Sequence, residues 1–233
     1  MVNKIADVVA RNRRFAIFPI VCVDHCAHLL NMNFAEVAFD GEKIAQVLAY
    51  GYNLYQYDMV LVFVDAYVEA QAMGCKVKFT PYPRLLESSE LIRENFIKAL
   101  RLKSGKIKGS RLNSGKNRTG EIIKAAKILK KKVDVPIFVS IKGPFTLAAF
   151  IYGIENFLKL LLVDDKKAKD VLERAIDFQT KYLKQLLALE VNIFIGDPLG
   201  SASVISPELF EKYACEPLGI LIKKTKEENR YAG

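Results

Sequence analysis

Short, almost uninterrupted apolar runs alternate with longer amphipathic stretches along this chain. FAIFPIVC (15–22), MVLVFVD (59–65), IFVSI (137–141) and VNIFIGD (191–197) are of the first kind. A strand covered on both faces has no polar side to show, so such runs predict strands of a parallel sheet. GEKIAQVLAYGYNLYQY (41–57) and TGEIIKAAKILKKK (119–132) instead place their apolar residues at helical spacing. The stretch 166–190 does the same, with Val171, Ala175, Phe178, Tyr182, Leu186 and Leu189 on one stripe; either Asp164 or Asp165 can cap it. Strands alternating with helices in this way predict an α/β architecture with crossover helices.

Composition bounds that picture. The 233 residues are 51% hydrophobic with a mean hydropathy of +0.12, enough for a sizeable core in one domain or at most two. The longest apolar runs are far too short to cross a bilayer, and MVNKIADVVARNRR at the N-terminus lacks the apolar segment of a signal peptide. The expected location is therefore cytoplasmic, and Cys22, Cys26, Cys75 and Cys215 read as free thiols. The net charge of +9 is uneven, because residues 98–132 hold thirteen Lys or Arg against one acid, Glu121. Within them KSGKIKGSRLNSGKNRTG (103–120) is too polar to order itself by burial. It reads as a solvated basic insertion or as a dock for an acidic protein. It has no aromatic residue to stack on bases, which argues against nucleic acid.

In βα folds the functional groups gather where strands end at their carboxyl edge. The predicted strands deliver Cys22-Val23-Asp24-His25, then Asp65, then Lys142-Gly143-Pro144, then Asp197-Pro198-Leu199-Gly200. Asp65 and Asp197 are thus catalytic candidates, although a polar residue ending an apolar strand is also a common helix cap. VCVDHCAHLL (21–30) gathers both histidines and two of the cysteines. With Asp24 as N-cap, a helix there sets His25 and His28 on one face at i, i+3. Zinc sites usually unite two ligand pairs, and the chain has no second Cys/His pair. Three readings stay open for this stretch: a metal site, a substrate-facing loop, or a capped helix with buried thiols.

Three segments carry a resemblance to a known family. VFVDAYVEAQAMGCKVKF (62–79) resembles a strand ending in a functional Asp, then a small-residue turn and a strand after a Met-Gly pair. VPIFVSIKGPFTLAAFIYGIENFL (135–158) resembles a Gly-Pro-Phe-Thr-Leu block, and IGDPLGSASVISPELFEKYACEPL (195–218) an Asp-centred strand followed by Ile-Ser-Pro-x-x-Phe. In this order they resemble the uroporphyrinogen decarboxylase superfamily, over about residues 10 to 224. The resemblance implies a TIM-like (β/α)8 barrel, of which this chain is expected to form only the N-terminal portion, about four barrel strands. It implies one partial barrel domain over 1–233 with a basic insertion at 82–132.

The superfamily has two branches, tetrapyrrole decarboxylases and zinc-dependent methyltransferases that carry a methyl group from a corrinoid to coenzyme M. The decarboxylase branch keeps an arginine-rich loop after its first strand, since guanidinium forks bind carboxylates bidentately. Here that loop reads CVDHCAHLL, without arginine. The decarboxylases' tyrosine in the Gly-Pro block aligns with Phe150. Residues 40–74 and the approach to the third strand resemble the methyltransferase branch more. The resemblance thus implies methyl transfer from a methylated corrinoid to a thiol such as coenzyme M, with Asp65 and Asp197 catalytic, and leaves open whether the chain is active without the C-terminal zinc half of a complete barrel. Cys22, His25, Glu69, Gly143, Phe145 and Phe150 are expected to bind substrate. It further implies zinc and methylcobamide for a complete barrel, although the sequence carries no His-x-Cys ligand pair. No metal ligand is assigned on this chain. The implied partners are a corrinoid protein or tetrapyrrole, and a C-terminal half or second copy paired at an open sheet edge. Uroporphyrinogen decarboxylation through Asp65, and a non-catalytic half-barrel that binds a tetrapyrrole or partner, are the alternatives.

Overall fold

The computed structural model describes residues 10, 16–19, 23–79, 82–85 and 118–228. The chain divides into two units. One comprises residues 1–65, 118–141 and 185–194, the other residues 66–117, 142–184 and 195–233.

The first unit opens with helix α1 (Val23–Leu29), the short α2 (Phe34–Val37) and the long α3 (Gly41–Tyr55). Asp40 caps α3 by accepting the N–H groups of Glu42 and Lys43, and Gln56 ends it in the left-handed region at φ 55°. The buried residues of α3, among them Ile44, Val47 and Leu48, face the same unit's core as Ile122, Ala125, Ala126 and Leu129 of helix α5 (Arg118–Leu129). Glu121 of α5 accepts the Gly41 N–H at 2.8 Å and so helps to cap its neighbour. Strand β1 (Val60–Val62) pairs in parallel with β4 (Ile137–Lys142), Val60 opposite Ile137 and Val62 opposite Val139. The sheet order is β1-β4-β5, with β5 over Asn192–Gly196.

Two expectations change here. Residues 16–19 of the expected first strand take no strand conformation. The Ile17 N–H goes to the Asp58 carboxylate at 2.7 Å, and the Asp58 N–H to the Ile17 carbonyl at 2.6 Å. A side chain thereby takes a donor that a ladder would need. Residues 15 and 20–22, the rest of that expected strand and Cys22 with it, lie outside the described residues. Three of the four expected barrel strands are found among the described residues. The helix expected after an Asp24 N-cap, HCAHLLN (25–31), is described over Val23–Leu29, so Asp24 lies within it and accepts the His25 N–H at 2.8 Å rather than standing as N-cap.

In the second unit, helix α4 (Val68–Ala72) leads to a small antiparallel pair, β2 (Val77–Phe79) with β3 (Pro83–Leu85). β3 falls within the expected insertion, and residues 86–117 of that insertion lie outside the described residues. The core forms round α6 (Pro144–Tyr152), buried from Pro144 through Ile151, with Pro144 pre-set for the first turn. Gly153, at φ 91°, turns the chain directly into α7 (Ile154–Val163). Among the described residues no single helix is long and apolar enough to cross a membrane; α6 and α7 are bent by 105° from one another.

Asp164 settles the capping question for α8 (Asp165–Leu187) by accepting the Lys167 N–H at 3.0 Å. Asp165 instead binds Lys169, Lys212 and the Tyr213 hydroxyl, and the Lys212 and Lys169 contacts hold its carboxyl down at about 2. In the ISPELF stretch Ser206 caps α9 (Pro207–Phe210), and a π-helical turn over Glu211–Cys215 buries Tyr213 and Ala214 before α10 (Glu216–Glu228). Asp164→Ala removes an exposed cap without disturbing the core, so it should lower stability by about 1 kcal/mol, read from the urea midpoint at unchanged slope.

Candidate functional site

Each unit places one of the two strand-end aspartates, and each does so differently. In the first unit Asp65 follows β1 and binds Arg118, the first residue of α5. The guanidinium also donates through Nε to the Ala38 carbonyl at 3.3 Å and lies 5.2 Å over the Phe39 ring. Both side chains are buried, at 1% and 7% exposed. Burial lowers the Arg118 pKa to about 10, still cationic at neutral pH. Sequence reasoning missed Arg118 because it stands among the many cations of 98–132.

His25 is exposed on α1, and its Nε2 lies 2.6 Å from the Tyr55 hydroxyl; Tyr55 in turn stacks on Tyr57 with ring centroids 5.5 Å apart. Cys26, the next residue, is fully buried. The helix therefore turns thiol and imidazole to different sides, as consecutive helical residues must. Among the described residues no three His, Cys, Asp or Glu side chains converge to hold a metal ion. The described geometry of this stretch is a helix with a buried thiol.

The second unit holds a buried polar cluster. Lys142, the last residue of β4, gives its N–H to both oxygens of Glu69, at 2.9 and 3.2 Å. Its carbonyl accepts from Gln179 Nε2 of α8 at 2.5 Å. Glu69 and Gln179 are 3% and 0% exposed. Burial pushes the Glu69 carboxyl up to about 7, partly opposed by the Lys142 N–H and ammonium and by Gln179. Burial likewise lowers the Lys142 pKa, partly offset by Glu69 and Asp197. The Tyr182 hydroxyl is raised by burial and by Glu69.

Asp197 joins this cluster from the end of β5. Its Oδ1 accepts the Thr146 N–H at 2.7 Å in the first turn of α6, while the Thr146 hydroxyl accepts the Leu199 N–H at 3.1 Å. The aspartate caps a helix from outside that helix's own sequence, where the dipole favours an anion. Burial raises its carboxyl pKa against these bonds. Gly143, whose N–H donates to the Gly196 carbonyl at 2.8 Å, makes room for it, since a Cβ at 143 would lie 2.2 Å from the Asp197 side chain.

Of the expected substrate-binding residues, Glu69 and Gly143 thus stand in one cluster with Asp197. Phe145 and Phe150 are core residues, Phe145 edge-on to Phe157 at 5.3 Å and Phe150 against Tyr67 at 5.1 Å. Gln179 and Thr146 were missed. Gln179 had a signal, since it falls on the buried stripe of α8 between Ala175 and Tyr182, a polar residue on an apolar face.

Two outcomes follow. Asp65→Ala leaves a buried guanidinium without its anion and should cost about 3–5 kcal/mol in urea unfolding, with much of the loss regained when Arg118→Met is added. For Glu69 the folded pKa lies above the unfolded one, so the folded state holds the proton more tightly. The Glu69 contribution to stability should be fully present at acid pH and be lost, by up to about 3 kcal/mol, as pH rises towards 7. Glu69→Gln should flatten that part of the curve, measured by denaturant unfolding across the range.

Comparison with known proteins sets this geometry in a family. The chain is 30% identical over 204 residues to the methylcobamide:CoM methyltransferase MtbA of Methanosarcina acetivorans, covering 84% of this chain and 58% of that protein. It is 22% identical over 207 residues to a uroporphyrinogen decarboxylase of Francisella philomiragia, covering 84% of this chain and 56% of the relative. The structure superposes on a methyltransferase from Methanosarcina mazei with a TM-score of 0.73 at 19% identity, over 90% of this chain and 62% of the other. The fold is that of the family's TIM barrel, here with a parallel sheet of few strands consistent with a partial barrel. The family model described as uroporphyrinogen decarboxylase (URO-D) matches residues 8–232, and the chain belongs to that family.

Proposed function

We propose that the chain serves methyl transfer from a methylated corrinoid to a thiol such as coenzyme M. The observation that carries this reading is the 30% identity to a methylcobamide:CoM methyltransferase across 84% of the chain, against 22% to a decarboxylase over a similar span. Two features of the residues agree with it. The stretch where decarboxylases keep arginines has none. Asp65, which matches their catalytic aspartate, is buried against the Arg118 guanidinium, an arrangement that competes with reading pyrrole N–H groups.

Zinc, which the family resemblance implies, finds no fit among the described residues, because no three suitable donors converge there. The roles proposed for this chain's own groups are therefore positioning and proton handling. Asp197 and Glu69 fix the turns that follow β5 and β4, and with Gly143 they are proposed to face the reacting groups. Cys22, His25, Phe145 and Phe150 are proposed to contribute to the substrate surface, either directly or by shaping it. The basic residues of 98–132 are proposed to meet an acidic corrinoid protein.

The test is incubation of the chain with methylcobalamin and coenzyme M, with and without added zinc, followed by visible absorbance and mass detection of the methylated thiol. Methyl-coenzyme M formation above the protein-free rate is expected. Spectral binding of methylcobalamin without transfer would favour the non-catalytic reading. Decarboxylated products from uroporphyrinogen, with no thiol methylation, would replace this reading by the decarboxylase one.

A further inference from the structure

Among the described residues two buried side-chain atoms find no hydrogen-bond partner, Gln179 Oε1 and Asp197 Oδ2. Both belong to the second unit, both are acceptors, and both lie in the cluster around Lys142. Buried acceptors without donors are uncommon in native proteins and each is costly. Here they recur in one place, next to two carboxyls, so the shortage is specifically one of hydrogen. A proton on Glu69 or on Asp197 supplies a donor to such a cluster, whereas a further carboxylate charge would supply none.

Among the described residues these groups face one another. Glu69 of α4 meets the Lys142 N–H and ammonium, Gln179, and Tyr182 of α8. Asp197 meets the Thr146 and Phe145 N–H groups of α6 and the Lys142 ammonium. Lys142 stands in the field of both carboxyls. One ammonium acts on two desolvated carboxyls, and burial favours the neutral form of each. Glu69 and Lys142 are buried and Asp197 is partly so, with its Oδ2 sealed from the surface.

We propose that Glu69, Lys142 and Asp197 form one proton-storing unit, which takes up the proton that the acceptor thiol loses on methylation. This rests on the methyl-transfer reading above. In that step the S–H bond breaks and a sulfur electron pair forms the bond to the methyl carbon. The carbon–cobalt bond of the methylated corrinoid breaks with its pair staying on the metal, and the proton goes to the unit. Coupled groups of this kind titrate together, so the unit accepts a proton at neutral pH where an ordinary carboxylate does not.

Two measurements test it separately. The first is a carbon NMR titration of the Asp and Glu carboxyls in the unliganded chain, in wild type, Glu69→Gln and Lys142→Met. A carboxyl that titrates near neutrality is expected, absent in Glu69→Gln and moved upward in Lys142→Met because the ammonium no longer favours its charged form. Carboxyls that all titrate in the ordinary acid range, or a Lys142→Met spectrum with no shift, would overturn the unit. The second is the pH profile of methyl transfer from methylcobalamin to coenzyme M. Glu69→Gln should lose the neutral-pH limb of kcat while KM for the thiol changes little. An unchanged profile in an active enzyme would refute uptake by the unit. Should the wild-type chain transfer no methyl group at any pH, the methyl-transfer reading and the uptake role fall together; the carboxyl titration still decides whether the three groups store a proton.

Discussion

A strand that leaves its sheet carries a peptide whose N–H and C=O no longer have ladder partners, and in a buried setting both must be satisfied or cost about 1–3 kcal/mol each. At Lys142 the partners are side chains, Glu69 for the N–H and Gln179 for the carbonyl. Much of the second unit's chemistry follows from that choice. It draws a carboxyl and an amide to full burial and brings the base of a lysine side chain in with them. It sets the direction in which Gly143 enters α6, and therefore where Asp197 can seat on that helix. The raised Glu69 carboxyl and the Gln179 Oε1 without a donor are consequences of serving one peptide with side chains in place of a neighbouring strand.

Asp65 and Asp197 look alike in sequence, each ending an apolar run, and their local context gives no reason to treat them differently. Their surroundings separate them. Asp65 meets a guanidinium that arrives from residue 118, and Asp197 meets the first-turn N–H groups of a helix that begins at residue 144. A lone pattern of apolar strand and terminal aspartate thus specifies a buried carboxylate and leaves its partner to the tertiary structure.

Helices were the more legible elements. The stretches 41–57, 119–132 and 166–190 appear as Gly41–Tyr55, Arg118–Leu129 and Asp165–Leu187, because a buried stripe and a capping side chain are both local signals. Strands were less so. MVLVFVD narrows to Val60–Val62, and residues 16–19 form no strand, since an apolar run shows that a segment is buried and says nothing of where its ladder partner stops. In the polar cluster, Glu69, Gly143 and Asp197 were reachable through the family blocks. Gln179 was visible only as a polar interruption of the α8 stripe, and Arg118 was hidden in a run of cations whose other members gave it no distinction.

The close fit of Gly143 to Asp197 also bears on how this sequence can change. Gly143 has an ordinary φ of −70°, so its backbone would admit any residue; it is the aspartate, far along the chain, that forbids a Cβ there. The two positions are consequently constrained together. A lineage that gained a side chain at 143 would have to withdraw or shorten the one at 197 in the same step. Covariation between them among descendants would then record a steric bargain rather than any chemistry at residue 143.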